Sequence, residues 1–357
     1  MLIGIDCRKA ADFGIGTYIC GLVEALTHVQ GDEAYVLFGP SRVKALLPSD
    51  SRFRFRQVDS PNYSLKELFA LGREIRDSGL DLFHAPHYVV PFTSRPVVVT
   101  IHDLIHLTTP RSSALETIYA RWMIGRAVSK SERILTVSQT VREQLGRHYP
   151  KAVGKLVAIP NGVDHAFSPE PDHRDANVID RYGLKPRRYL LYVGNDKPHK
   201  NLDRLVSAHQ SLIAEGKDLR LVLAGAAPSR FAGIPSILLA GYVPQNDLPA
   251  LYRNAMAVAL ISTEEGFGLP VAEAMACGTP AIVSNIPALH ELVGDDALLV
   301  DPRSEAAIAH AVQRCLSDDR LLQSMRIRLV NQGPRRTWSA TAEATLDVYR
   351  QVMSGTD

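Results

Sequence analysis

The sequence predicts an α/β protein of two domains, each built on a parallel β-sheet that helices cover on both faces. Its 357 residues exceed what one hydrophobic core usually supports. Short apolar runs typical of strands alternate with amphipathic helical patterns, and this alternation favours parallel sheets. A polar, proline-bearing segment after residue 160 interrupts the alternation, which then starts again.

The strands are predicted from short runs rich in Val, Ile, Leu and Phe, with turn residues on both sides of each run. In the first half the runs cover residues 2–6, 34–38, 53–58, 80–84, 96–101 and 133–137. In the second half they cover residues 189–194, 220–224, 237–239, 258–262, 281–284 and 297–300. A last helical pattern opens at Thr337 and places Ala342, Thr345, Leu346 and Tyr349 on one face.

The composition excludes several classes of protein. The chain is 46% hydrophobic and 22% charged, which is ordinary for a globular protein. We expect a cytoplasmic location, because no apolar run has the length of a membrane span and the N-terminus runs directly into a strand pattern. The four cysteines form no CxxC pair, so reduced thiols are predicted.

The charge is nearly balanced. Residues up to His165 hold 20 Lys+Arg and 16 Asp+Glu, and the remainder holds 20 and 22, so no nucleic-acid partner is expected. One span of the first half is basic, with Glu132 and Glu143 as its only acids. Its basic residues are Arg121, Arg126, Lys130, Arg133, Arg142, Arg147, Lys151 and Lys155. A solvated helix face and contact with anionic lipid or a phosphate-bearing acceptor are both open interpretations.

The stretch 255–284 carries the strongest functional signal. Its pattern predicts a strand, a glycine-bearing loop, a helix and a second strand. The loop lies at the carboxyl end of the first strand, where α/β sheets bind ligands. Gly266 and Gly268 allow close approach to the backbone, and the helix start offers N–H groups to an anion. Glu265 and Glu273, with seven residues between them, suit hydroxyl donors. A nucleotide sugar combines hydroxyls with phosphate and meets both demands.

The same stretch closely resembles the donor-site signature of glycosyltransferase family 4. The resemblance rests on Glu265, Gly266, Phe267, Gly268, Leu269, Pro270, Glu273 and the run Ala-Met-Ala-Cys-Gly-Thr-Pro. Members are retaining enzymes with the GT-B fold, in which two Rossmann-like domains face each other. An Asn-Gly turn followed by a polar, proline-bearing segment sets the boundary between domains at 1–165 and 166–336, and the resemblance implies a terminal helix, 337–357, that returns to the first domain.

A second donor loop follows the strand at 189–194. Lys197 and Lys200 flank a helix start there, which makes an anion site. In family 4 the corresponding loop gives an arginine and a lysine to the donor diphosphate, and Lys200 matches the lysine. The arginine is absent, and Asn195, Lys197 or His199 stands in its region.

The resemblance also marks residues outside these two loops. Gly225 and Val243 belong to segments that line the base pocket in the family. In the first half, the loop after the first strand corresponds to the family's glycine loop near the phosphates and acceptor, and it contains Gly14, Ile15, Gly16 and Thr17. The strand-end pair His102 and Asp103 resembles the family's His-Asp, whose histidine reaches the donor sugar.

Neither a cofactor nor a metal is expected. His84, His87, His102 and His106 are not expected to form a metal site, because His102 ends an apolar strand rather than lying on a helix, where the four-residue spacing would put it and His106 on one face. The sequence contains no Asp-x-Asp triplet to hold a metal on the diphosphate. The positive groups of the protein would then stabilise the leaving diphosphate in place of a metal.

The predicted function is transfer of a hexosyl unit from a nucleotide diphosphate sugar to an acceptor hydroxyl, with retention. The resemblance is closest to bacterial mannosyltransferases of surface polysaccharide assembly, so GDP-mannose is the expected donor and UDP-sugars are the alternative. The acceptor would be a saccharide or lipid-linked saccharide, with peripheral membrane contact. Competing hypotheses are a nucleotide-sugar 2-epimerase, a non-catalytic nucleotide-sugar-binding protein, and a glycoside hydrolase using Glu265 and Glu273.

Overall fold

The protein is described by a computed structural model that covers residues 1–58, 65–108, 114–225, 228–332 and 336–355. The chain forms two compact units, Met1–Gly162 with Arg336–Asp357 and Val163–Arg335. The division between Gly162 and Val163 falls inside the Pro-Asn-Gly-Val-Asp segment, 160–164. The first unit therefore contains both ends of the chain.

The first unit is built on a seven-stranded sheet in which every pairing is parallel. Its strand order is β3-β2-β1-β4-β5-β6-β7. The strands are β1 (Leu2–Asp6), β2 (Ala34–Gly39), β3 (Phe53–Gln57), β4 (Leu82–Ala85), β5 (Val97–Ile101), β6 (Arg133–Thr136) and β7 (Leu156–Ala158). The helices between them are α1 (Ile15–His28), α2 (Leu65–Asp77), α3 (Ile105–Thr108), α4 (Ala114–Lys130) and α5 (Gln139–His148).

The second unit repeats the design with six parallel strands in the order β10-β9-β8-β11-β12-β13. The strands are β8 (Tyr189–Gly194), β9 (Arg220–Gly225), β10 (Ile237–Gly241), β11 (Ala257–Leu260), β12 (Ala281–Ser284) and β13 (Leu298–Val300). The helices are α6 (Asp175–Arg181), α7 (Leu202–Ala214), α8 (Leu248–Asn254), α9 (Leu269–Ala276), α10 (Pro287–Val293), α11 (Glu305–Ser317) and α12 (Asp319–Gln332). The predicted α/β class with two parallel-sheet domains is confirmed.

Each sheet contains one point at which the strand order reverses direction. In the first unit it lies between β1 and β4, and in the second between β8 and β11. At this point the connections that follow the two neighbouring strands run in opposite directions along the sheet. A crevice therefore opens at the carboxyl ends of those two strands. The loops after these four strands are therefore where ligands are expected.

The last helix, α13 (Trp338–Ser354), belongs to the first unit. Thr337 caps it by accepting a hydrogen bond from the backbone N–H of Ala340 at 3.2 Å. Trp338 packs against α1 so closely that a Cβ on Gly21 would lie 2.3 Å from its ring. Among the residues that the structure describes, no helix is both long enough and apolar enough to cross a membrane.

A buried chain of hydrogen bonds fixes the other end of α13 to the first sheet. Tyr349 lies 2.6 Å from Nδ1 of His84, whose Nε2 lies 2.8 Å from the Thr100 hydroxyl. That hydroxyl is 3.0 Å from the hydroxyl of Tyr18 on α1. Burial lowers the pKa of His84 to about 3, so the ring is neutral at pH 7 and links helix to sheet without a buried charge.

Replacement of Gly162 by Ala is expected to destabilise the first unit. A Cβ there would lie 2.2 Å from the backbone nitrogen of Trp338 and 2.4 Å from its Cα, and backbone atoms cannot move aside cheaply. We expect a loss of about 1–3 kcal/mol in the free energy of unfolding, measured by denaturant titration. Gly154→Ala is the control, because nothing lies within 4 Å of a Cβ there. Equal midpoints for the two variants would contradict the packing described for Trp338.

Candidate functional site

The loops after β8 and β11 lie side by side at the strand-order reversal of the second sheet. The backbone N–H of Thr263 donates to the carbonyl of His199 at 2.7 Å. The side-chain amide of Asn201 donates to the carbonyls of Ile261 at 3.0 Å and Pro302 at 2.7 Å. Asn201 has the left-handed conformation, φ 58°, which asparagine tolerates better than most residues. Its side chain therefore holds the end of the first loop against the second.

This arrangement brings Lys200 and Glu265 into an ion pair. Lys200 Nζ donates to Glu265 Oε1 at 2.7 Å, and the Ser262 hydroxyl donates to the same oxygen at 2.7 Å. The side chains of Lys200 and Glu265 are 16% and 9% exposed, so water screens the pair only partly. Sequence reasoning gave the two residues separate roles in donor binding and did not foresee that they contact each other.

The residues that flank Lys200 differ in accessibility. Lys197 is exposed, whereas Asn195 is half-buried and its Oδ1 has no hydrogen-bond partner in the described part of the chain. Next to it, Asp196 receives two hydrogen bonds from Arg230, one of them 2.8 Å long. Arg230 also donates to Asp203 at 2.7 Å. Arg230 therefore stabilises this loop through its hydrogen bonds to Asp196 and Asp203. No local pattern in the sequence predicted this role for Arg230.

The second loop ends at the start of α9. Gly268 caps the helix with φ 99°, in the left-handed region, and a Cβ there would lie 2.6 Å from the Leu289 side chain. Only glycine fits this position without strain. Gly266 and Phe267 are buried beside it, and Leu269 begins the helix half-buried. The first amides of a helix have no intrahelical acceptor, so this start is suited to an anion.

Glu273 lies one turn into α9 and is 7% exposed. The buried Tyr252 of α8 donates a hydrogen bond to its Oε2 at 2.7 Å. Burial raises the pKa of Glu273 to about 7, and the nearby Asp164 adds to the rise while the bond from Tyr252 opposes it. The neutral and ionised forms of this carboxyl group are therefore both populated near pH 7. Tyr252 was not predicted from the sequence.

The two residues predicted to line a base pocket lie on the other side of β8. Gly225 ends β9 with φ 94°, and a Cβ there would lie 2.6 Å from the carbonyl oxygen of Gly194. Gly194 and Gly225 are register partners in the sheet. Val243 follows β10 and is buried. The close approach of the two strand ends explains why Gly225 must be glycine.

In the first unit, the predicted glycine loop connects β1 to α1. Gly14 caps α1 with φ 68° and open space where a side chain would lie. A Cβ on Gly16 would lie 2.5 Å from the Ala10 carbonyl oxygen, so the loop folds tightly over the helix start. Ile15 and Thr17 are half-buried in the first turn.

His102 and Asp103 follow β5. Nε2 of His102 donates to the Pro86 carbonyl at 2.8 Å, and its ring packs edge-on against Tyr18 with centroids 4.8 Å apart. Burial lowers the pKa of His102 to about 4, so the ring is neutral at pH 7 and its Nδ1 is the acceptor nitrogen. Asp103 accepts a hydrogen bond from the N–H of Ile105 at 3.1 Å at the start of α3.

A buried charged cluster in the first unit was missed from the sequence. Arg8 binds Asp6 through two side-chain hydrogen bonds of 2.8 and 2.6 Å, and His87 Nε2 lies 3.2 Å from the same carboxylate. Burial alone would raise the pKa of Asp6, but Arg8 and His87 together outweigh it and hold the pKa far below its usual range. Over the described residues, no three His, Cys, Asp or Glu side chains are grouped as metal ligands.

Comparisons with known proteins identify the chain. The model of Glycosyltransferase Family 4 matches residues 14–167, and that of Glycosyl transferases group 1 matches residues 177–336. A D-inositol 3-phosphate glycosyltransferase of Kineococcus radiotolerans is 30% identical over 292 residues, 72% of this chain and 67% of that relative. The chain belongs to the family 4 glycosyltransferases.

Two further similarities bear on this glycosyltransferase. O-antigen chain mannosyltransferase B of Escherichia coli is 29% identical over 288 residues, 77% of this chain and 76% of the relative. The solved structure of sucrose-phosphate synthase from Thermosynechococcus elongatus superposes with a TM-score of 0.81 at 19% identity, and the match covers 100% of both chains. The predicted GT-B fold is confirmed, and the residue roles predicted for the site stay predictions.

Proposed function

We propose that this glycosyltransferase moves a mannosyl unit from a nucleotide diphosphate sugar to an acceptor hydroxyl in surface polysaccharide or lipopolysaccharide assembly. The observation that carries the proposal is the pair of Lys200 and Glu265 at the strand-order reversal, beside the start of α9. Lys200 and the start of α9 offer a cation and N–H groups to phosphate. Glu265 offers a carboxylate to hydroxyls. The mannosyl assignment draws support from the Escherichia coli O-antigen chain mannosyltransferase.

The diphosphate would lie against Lys200 and the backbone N–H groups of Gly268 and Leu269. Negative charge grows on the diphosphate as the anomeric C–O bond breaks, so preorganised positive groups stabilise the transition state more than the bound donor. Lys197 adds a nearby charge from an exposed position. Asn195, Lys197 or His199 would stand in the region of the family's arginine, and Asn195 would contribute an uncharged contact there.

The hydroxyl-bearing parts of the donor would meet the two glutamates. Glu265 accepts hydrogen bonds from the transferred sugar, and the ion pair with Lys200 holds its carboxylate in place. Glu273 accepts from the ribose diol, with Tyr252 holding its other oxygen. Gly225 and Val243 would contact the base largely through backbone groups, which allows a purine or a pyrimidine.

We propose that the anomeric configuration is retained and that no metal is required. Lys200 and the helix start take the role that a metal would have at the diphosphate. The leaving phosphate helps to deprotonate the acceptor hydroxyl as it attacks the same face of the sugar. In the first unit, the neutral His102 would accept a hydrogen bond from the donor sugar. Gly14, Ile15, Gly16, Thr17 and Asp103 would serve the acceptor, a saccharide or lipid-linked saccharide.

A nucleotide-sugar thermal-shift series tests the donor assignment. At 100 times its dissociation constant a donor adds about 2.7 kcal/mol to the free energy of unfolding. We expect GDP-mannose to give the largest shift, UDP-sugars a smaller one and free mannose none. The matched control is Glu273→Gln, which keeps the side-chain volume and should show a reduced shift with every nucleotide. Absence of stabilisation by any nucleotide sugar would contradict the proposal.

A further inference from the structure

The first sheet carries a buried ion pair at the point where its strand order reverses. Asp6 ends β1 and Arg8 follows it, and their side chains are 0% and 3% exposed. A buried ion pair seldom adds net stability, because the cost of removing both charges from water offsets their attraction. Ligands are expected at this end of the sheet. The position of the pair therefore favours a role in the site over a role in stability alone.

His87 connects this ion pair to the segment that follows β4. Its Nε2 lies 3.2 Å from Oδ2 of Asp6, and the backbone N–H of Val89 donates to its Nδ1 at 3.1 Å. Burial lowers the pKa of His87, so the ring is neutral at pH 7 and its single N–H is on Nε2, the nitrogen next to Asp6. The ring is therefore held from both sides and fixes segment 86–89. Asp6, Arg8 and His87 are called the Asp6 cluster from here on.

The carbonyl that precedes His87 orients the ring of His102. Nε2 of His102 donates to the carbonyl of Pro86 at 2.8 Å, and the ring of Tyr18 packs edge-on against the imidazole with centroids 4.8 Å apart. The bond to Pro86 requires the proton on Nε2, which leaves Nδ1 as the acceptor. A displaced Pro86 carbonyl would remove this requirement, and the tautomer with its proton on Nδ1 would become populated.

We propose that the Asp6 cluster positions His102 in the transfer reaction. The ion pair fixes His87, His87 fixes the Pro86 carbonyl, and this carbonyl selects the tautomer of His102 whose Nδ1 accepts from the donor sugar. The members of the cluster are positioning residues, which act without touching the substrate. Misplacement of a reacting group by about 1 Å can lower turnover about 10²-fold. The inference rests on the proposed function for the role of His102 at the sugar, whereas the tautomer of its ring is measurable without any donor.

The tautomer of His102 is read by NMR in the intact protein labelled with nitrogen-15 at histidine. The chain has 12 histidines, and the signal that is absent from His102→Asn identifies this ring. We expect the parent to show one neutral tautomer, with its proton on Nε2, and Asp6→Asn to show a mixture of both. In donor turnover, Asp6→Asn should lower kcat about tenfold and leave KM within about twofold of the parent.

Asp81→Asn is the matched control for loss of a carboxylate on the same strand. Asp81 accepts a hydrogen bond from the backbone N–H of Leu2 at 2.7 Å, at the opposite end of β1. The substitution should lower the free energy of unfolding without changing the His102 signal or kcat. An equal change of the His102 signal in this control would overturn the proposal, because general loosening of the sheet would then explain it.

His87→Asn is the second variant, because Asp6→Asn leaves the charge of Arg8 buried without its partner and destabilises the fold. The amide keeps a polar group near the position of Nδ1, does not reach Asp6, and leaves the ion pair intact. We expect the same mixture of His102 tautomers and the same direction of change in kcat. A single Nε2–H tautomer in this variant would overturn the proposal, and so would a mixture of tautomers at the parental kcat.

Discussion

Lys200→Ala is expected to lower turnover at saturating donor by about 10²–10³-fold, the effect of removing one preorganised group from a developing anion. Lys200 is half-buried at the loop end that Asn201 anchors, so no mobile side chain can readily replace it. The loss should fall on kcat more than on KM, because the charge on the diphosphate grows in the transition state.

The ion pair with Glu265 adds a second consequence to the loss of Lys200. Without its cation the Glu265 carboxylate would repel the diphosphate, so Lys200→Ala should also weaken nucleotide binding. Adding Glu265→Gln to Lys200→Ala should restore part of that affinity and little of the turnover. Lys200→Arg should keep part of the turnover. Lys197→Ala should cost less, since Lys197 is exposed, and a larger loss there than for Lys200→Ala would contradict the assignment.

Glu273→Gln is expected to weaken binding of the free nucleoside diphosphate by about 1–3 kcal/mol at pH 8 and to remove its pH dependence. In the parent, the pKa of Glu273 near 7 means that its carboxyl group is mostly protonated at lower pH, and the protonated group accepts from a diol less strongly than the carboxylate does. The affinity of the parent should therefore fall below pH 7, by at most about tenfold for each pH unit. Titration calorimetry between pH 5.5 and 8.5 measures both effects.

Two tyrosines provide the controls for this pH dependence. The Tyr252 bond lowers the pKa of Glu273, so Tyr252→Phe should move the midpoint to higher pH. Tyr189→Phe removes an equally buried hydroxyl, which donates to the Leu251 carbonyl at 2.6 Å, and should leave the midpoint in place. A parent affinity that is flat from pH 5.5 to 8.5 would remove Glu273 from the nucleotide site.

The raised pKa of Glu273 also determines how the free energy of unfolding changes with pH. The folded state binds the Glu273 proton up to about pH 7, whereas the unfolded chain releases it near the ordinary glutamate pKa of 4.5. The folded state thus holds more protons between these values. This carboxyl group therefore makes the unliganded protein less stable as the pH rises from about 4.5 to about 7.

The elements of the fold could be predicted because their signals are local. Strands β8 and β12 have the predicted bounds, and Gly268, Pro270 and Gly278 mark the two ends of α9 as expected. Apolar runs and glycine turns depend on residues close in sequence. The placement of both donor loops at strand ends followed from the same local pattern.

Pairings between distant segments could not be predicted. Lys200 and Glu265 meet only because β8 and β11 are neighbours in the sheet, which the chain order does not state. Tyr252 reaches Glu273 because α8 packs beside α9, and nothing in the spacing of these residues signals that. These contacts depend on strand order and helix packing, which are properties of the whole unit.

The configuration of the released sugar tests the central claim most directly. Many transferases slowly hydrolyse their donor, so GDP-mannose labelled with carbon-13 at C1 can be followed by NMR without knowing the acceptor. We predict that α-mannose appears first, before mutarotation, at a rate that EDTA leaves unchanged and Lys200→Ala lowers about 10²–10³-fold. Initial release of β-mannose, or loss of the reaction in EDTA, would contradict a retaining, metal-independent transfer assisted by Lys200.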